Sequence, residues 1–176
     1  MRWLPLALGT LVVVALVVTA AGAALPRAHV ASRAITVPVP PERVWEALTD
    51  VAAFPRWRGD VTAVELLPAR DGRPAWRESS RHGRITFELV SAERPRRLTT
   101  VIADRDLPFG GSWDYALARQ GSGTRVVVTE RGEVHNPLFR FLSRYVFGHT
   151  ATIDAYLTAL GRHFGAEVTP EPSHGA

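Results

Sequence analysis

Apolar and polar positions alternate from Ile35: Ile35, Val37 and Val39 fall on one side, Thr36 and Pro38 on the other, the pattern of a strand with one buried face. Pro40 and Pro41 end that strand and open a helix, since proline lacks only an N–H that the first turn leaves unpaired. Val44, Trp45 and Leu48 follow at helical spacing. Asp50 is predicted to cap a second short helix, Val51 to Phe54, with Pro55 stopping it and Trp57 at the exit. Five short strand-like runs follow in close succession: Val61 to Leu67, Ala75 to Ser80, Arg84 to Val90, Arg97 to Ala103 and Ser112 to Ala118. In the third, Ile85, Phe87 and Leu89 share one face and Thr86 and Glu88 the other, which predicts a wet side. DRDLPFGG reads as a loop, and the turn Arg119 to Gly123 joins Ser112 to Ala118 to a last strand, Thr124 to Val134. From the cap Asn136-Pro137 to Phe164 the residues Leu138, Leu142, Tyr145, Ile153, Leu157, Leu160 and Phe164 form an apolar stripe. That stripe predicts one long helix lying across the sheet, with Gly148 a point where it can kink. Residues 166–176, with Pro, Ser and Gly, are predicted to be a disordered tail.

Residues 1–29 stand apart. Leu4 to Leu25 carry no charge, and the run is about the 20 residues a bilayer-spanning helix needs. Ala21-Gly22-Ala23 offers a cleavage site, so a signal peptide, and a secreted product, is the competing reading. A single-pass membrane anchor is preferred, because only Arg2 precedes the run and its apolar character persists through the Ala-rich end. Arg27, Arg33 and Arg43 face Arg2 across the run, so charge leaves the side of the membrane open.

Composition narrows the function classes. The chain has 176 residues, which suits one domain with a substantial core. All 21 basic residues are arginine, but acids are interleaved with them and the formal charge is only +4, so no nucleic-acid partner is read from it. Cysteine is absent, which excludes disulfides, thiolate metal sites and a cysteine nucleophile. The six histidines fall in no metal-ligand spacing, and there is no GxSxG, P-loop or dinucleotide fingerprint, so neither a metal nor another cofactor is expected.

The segments VPVPPERVWEALTDVAAFPRW, LPFGGSWDYAL, GTRVVVTERGEV and NPLFRFL, in this order, resemble the SRPBCC superfamily of START and birch-pollen-allergen-like proteins, especially its polyketide cyclase/dehydratase-like bacterial members. The resemblance covers roughly Val30 to Phe164. It implies an α+β helix-grip fold at residues 30–165: a curved antiparallel sheet of about seven strands wrapped around a long C-terminal helix, two short helices after the first strand, and a cavity between sheet and helix. Superfamily members include lipid carriers, hormone receptors and cyclases, so the fold implies a cavity and not a reaction.

Within that frame, Arg125 is expected to face solvent, which turns Val126, Val128 and Glu130 toward the long helix. A desolvated Glu130 is either a ligand-orienting or acid/base group, or a rim carboxylate paired with Arg84 or Arg77. Trp113 and Tyr115 share the inner face, as core or as cavity wall. Trp57 is a cavity wall or a packing plug. The expected cavity lining is Trp57, Phe87, Leu89, Trp113, Tyr115, Val128, Glu130, Tyr145, His149 and Ile153, with Glu130 and Tyr115 as catalytic candidates. The favoured function is a membrane-anchored domain holding a hydrophobic small molecule or lipid without catalysis. A cyclase/dehydratase-like enzyme and an envelope interaction protein are the alternatives. An enclosed volume of about 300 Å³ would speak for the ligand, a filled core for the interaction protein.

Overall fold

The computed structural model describes residues 3–142, 144–145, 148 and 150–173, leaving out, within the first helix, the side chains of residues 4–8, 11 and 14. Helix α1 (Trp3–Ala24) leads into β1 (Ala28–Val37), followed by α2 (Pro41–Thr49), a 3₁₀ turn (Val51–Ala53) and α3 (Phe54–Trp57). Strands β2 (Ala63–Arg70), β3 (Arg73–Ser80), β4 (Gly83–Glu93), β5 (Arg97–Ile102), β6 (Phe109–Gln120) and β7 (Gly123–Val134) come next, then α4 (Pro137–Leu142), α5 (Ala151–His163) and β8 (Glu171–Pro172). All pairings are antiparallel, in the order β2-β3-β4-β5-β6-β7-β1-β8. This is the helix-grip architecture the resemblance implies, with eight strands in place of about seven.

The inner face follows from register. Ile35 lies opposite Val126, Leu117 opposite Val126 and Tyr115 opposite Val128, so period-two alternation brings these residues to the same side. Against them α5 sets Ile153, Leu157 and Leu160, all fully buried, and Tyr156. Each such aliphatic side chain contributes about 1.5–3 kcal/mol by leaving water. Arg33 on β1 fixes the helix from one side, its guanidinium 2.9 and 3.1 Å from the two Asp154 carboxylate oxygens. From the other side α2 buries Val44, Trp45 and Leu48, as its spacing predicts.

Several local expectations are corrected. Pro55 does not stop the second helix; it lies in the first turn of α3, where its missing N–H is harmless. Asp50 makes no side-chain cap. The wet side of β4 holds at Glu88, which is 3.6 Å from Arg70, but Thr86 is buried under the loop after β5, its amide donating to Asp104 Oδ2 at 2.6 Å. The glycines of LPFGGS belong to β6 and not to a loop: Gly110 pairs with Glu133 and Gly111 with Gly132.

The larger correction concerns the C-terminal helix, which is two helices. Asn136 Oδ1 accepts from the amides of Leu138 and Phe139, so the predicted cap is present. The α-helix it starts, however, spans Pro137–Leu142, with Arg144 and Tyr145 in a π-helical turn, and Gly148 has φ +74°, outside helical geometry. Helix α4 packs against the end of α1 and not across the sheet: Gly22 sits so close to Pro137 that a Cβ there would collide with its carbonyl. Arg140 is buried and donates to the carbonyls of Ala23, Leu25 and His135. Leu138 and Tyr145 of the predicted stripe are exposed. After α5 the chain turns back, Val168 packs on Gly161, and Glu171–Pro172 pairs with β1, so residues 166–173 of the expected tail follow an ordered path.

Candidate functional site

With α4 packed on α1, α5 is the C-terminal helix that lies on the inner face. Under α5 the grip is filled. Tyr156 forms its centre, with ring centroids 5.6 Å from Trp57, 5.4 Å from Trp113 and 5.9 Å from Tyr115. Trp57 also packs on Phe54 and His163, so it is a plug over this cluster and not the wall of an open cavity. Tyr115, Val128 and Ile153 belong to the buried core, and Leu89 packs against it.

Beyond that cluster a pocket of about 40 Å³ remains on the β4–β7 part of the sheet, bordered by Phe87, Thr100, Ile102, Trp113 and Glu130 and floored by Gly110, Gly111 and Gly132. Gly111 and Gly132 are direct partners across β6 and β7, and the His29 ring and Glu130 occupy the space that a side chain at Gly132 would need. Glu130 stands at its edge beside His29, 3.4 Å away on β1. That partner replaces Arg77 and Arg84: Arg77 pairs with Glu65 at 3.1 Å, and Arg84 lies opposite Ser79 on the far side of the sheet. Of the ten expected lining residues, the pocket thus brings together Phe87, Trp113 and Glu130. Tyr145 borders a second cavity, described below, and His149 lies outside the described residues.

A polar cluster beneath the filled half went unnoticed in the sequence. Arg58, read as part of a turn, reaches inward from the end of α3 to Glu78 Oε2 at 2.9 Å and Asp60 Oδ2 at 2.7 Å, and lies over the rings of Phe54 and Tyr156. Trp76 Nε1 donates to Glu78 Oε1 at 3.0 Å. Burial pushes the Glu78 carboxyl above its usual range in spite of Arg58 and the Trp76 indole. Burial alone would lower the Arg58 guanidinium, but the Asp60 hydrogen bond and the Glu78 charge reverse this and raise it, so Arg58 is the permanent cation and Glu78 the member that titrates. Asp60, although partly desolvated, is held below its usual value by its hydrogen bond to Arg58. Burial likewise raises the Tyr115 and Tyr156 phenols. Tyr115 therefore stays protonated at neutral pH, packed in the core away from the pocket border.

A curved antiparallel sheet closed by a C-terminal helix, with its pocket on the enclosed face, defines a helix-grip protein. The chain belongs to the polyketide cyclase / dehydrase and lipid transport family, whose model matches residues 28–164. Among solved structures it is similar to a START superfamily protein from Mycobacterium smegmatis, with 19% identity over 78% of this chain and 97% of that one and a TM-score of 0.63. It is also similar to the ZhuI aromatase/cyclase from Streptomyces sp. R1128, with 16% identity, coverage of 78% and 94%, and a TM-score of 0.61. A protein from Thermobifida fusca shares 23% identity, with coverage of 77% and 93% and a TM-score of 0.58. At these identities the likeness is one of fold. No curated protein matches the chain.

Proposed function

We propose that this domain holds a hydrophobic small molecule or the acyl part of a lipid against the β4–β7 part of its inner face, while α1 tethers it to a membrane. The observation that carries the reading is the apolar patch of Phe87, Ile102 and Trp113 around the glycine-floored pocket. About 40 Å³ is far below the roughly 300 Å³ of a ligand pocket, so binding requires the pocket to widen as the ligand enters. The family's description, which includes lipid transport, supports the ligand class.

For the tether, the support is the 22-residue α1, without a charged residue, about 33 Å long at 1.5 Å per residue. Val12, Val13, Leu16 and Val17 project from it exposed, so the domain does not bury them. Counting only the described residues, which leaves out seven positions of α1, no helix is long and apolar enough to cross a membrane.

The test is photo-crosslinking of the full chain in lipid nanodiscs with a diazirine fatty acid, followed by peptide mapping. Label on the peptides carrying Phe87, Ile102 and Trp113, reduced about fivefold by the pocket-filling Ile102→Trp, is the expected result. Label confined to α1 would sink the reading. A second reading, acid/base catalysis, rests on Glu130 beside His29 at the pocket edge. It requires Glu130→Gln to abolish turnover of a polyketide-like substrate while leaving probe binding intact.

A further inference from the structure

A second, larger cavity is present among the described residues. It lies where α1 meets the domain, has a volume of about 170 Å³, and is bordered by Leu25, Pro26, Arg27, Ala28, His29, Val134, Arg140, Arg144 and Tyr145. Three arginines border it and no acid does. Their roles differ. Arg140 is buried and committed to the carbonyls that end α1, which neutralises the negative end of that helix at the cavity wall. Arg27 and Arg144 are exposed, and among the described residues no carboxylate forms an ion pair with either; Glu133 lies opposite Ala28, Glu130 is held by His29 at 3.4 Å, and neither borders the cavity.

A second, independent feature sits at the same end of the molecule. Helix α4, packed against α1 at Gly22, leaves Leu138 and Phe139 exposed, and Tyr145 beyond it is 63% exposed. Apolar side chains and a tyrosine beside the root of an apolar helix match the level of a bilayer where acyl chains give way to headgroups. From the arginine-lined cavity and this exposed apolar rim together, we infer that the cavity takes the phosphate headgroup of an anionic phospholipid of the membrane that holds α1, with Arg27 and Arg144 as its ligands. The inference rests on the tether proposed above, and is separate from the hydrophobic ligand on the inner face. The phosphate oxygens would accept from the two guanidinium groups, with Tyr145 at the lip and the acyl chains running along the exposed faces of α4 and α1.

Native mass spectrometry of the full chain released from nanodiscs tests this. Discs of phosphatidylcholine are compared with discs carrying a fifth of phosphatidylglycerol. One phosphatidylglycerol is expected to remain on the protein after phosphatidylcholine has been lost. Each arginine facing an anionic surface contributes about fivefold in affinity, so Arg27→Gln with Arg144→Gln should weaken retention about 25-fold, and the two lysine replacements should largely keep it. Circular dichroism identical to wild type confirms that these exposed changes leave the fold intact. Equal retention of both lipids, or unchanged retention in the double glutamine variant, overturns the inference. Displacement by millimolar inorganic phosphate overturns the lipid as source, since free phosphate would then be the ligand. Carbonate extraction keeps the two failures apart: protein released from membranes refutes the tether, whereas protein that stays embedded without lipid preference refutes only the headgroup site.

Discussion

Arg58 joins α3, β3 and the aromatic cluster at once. Its removal in Arg58→Ala would leave Glu78 buried beside Trp76 with no cation, and an uncompensated buried carboxylate costs about 3–5 kcal/mol. Chemical denaturation should show a loss of that order; a change under 1 kcal/mol would mean that the pair is solvated. The pH dependence follows from signs. Glu78 is raised above its usual 4.5, so the fold binds its proton more tightly, a contribution that is whole below about 4.5 and lost as pH climbs through the folded value. Asp60 is lowered below 3.8, so its contribution is present above that and lost as pH falls. In Glu78→Gln the decline of stability on the rising side of pH 4.5 should disappear, while the acid-side loss from Asp60 persists. None of this was legible in RWRGD, which has the composition of a turn. An arginine's partner is set by which strand folds beneath it, and Glu78 is twenty residues away on an ordinary strand. The orientation of Trp113, Tyr115, Val126, Val128 and Glu130, by contrast, could be read from alternation, since strand period allows only two faces.

At the scale of elements, the strands and the first two helices answer to local patterning. Breaks between strands fell at Asp71-Gly72 and Gly121-Ser122, where the chain needs positive φ or a tight reversal. The C-terminal helix did not answer to patterning, and the reason is physical. An apolar stripe states that a face will be buried but not against what, and α1 offers α4 an alternative to the sheet. Gly148 permits the parting. At φ +74° an alanine there would be strained by about 1–2 kcal/mol, so Gly148→Ala should favour a continuous helix. Crosslinking of the fatty-acid probe to the Trp113 peptide should then fall; an unchanged yield would show that the break does not control access. The register of α5 on β1 depends on Arg33 and Asp154, and Asp154→Ala should cost about 2 kcal/mol or more by leaving Arg33 half-buried and unpaired.

For the whole molecule, the union of α1 with the domain is the decisive feature. Gly22 against Pro137 and Arg140 on Ala23 and Leu25 make α1 part of the folded unit and not a loose leader. Deleting residues 1–25 should therefore lower the thermal midpoint, since Arg140 loses two acceptors at about 1 kcal/mol each. An unaltered midpoint would mean that α1 contributes location alone.

Alternation and proline placement determined by themselves that the chain makes a strand, two short helices, a meander of strands and a C-terminal helix, because side-chain period and the missing proline N–H act within a few residues. They also determined which residues face inward, and the uncharged run that becomes α1. Only the tertiary structure decided that Tyr156 and Trp57 fill the grip, that Glu130 meets His29 and Arg58 meets Glu78, and that α4 leaves the sheet for α1. Those outcomes depend on contacts between residues far apart in the chain, where burial and charge pairing choose among several partners that the local sequence permits equally.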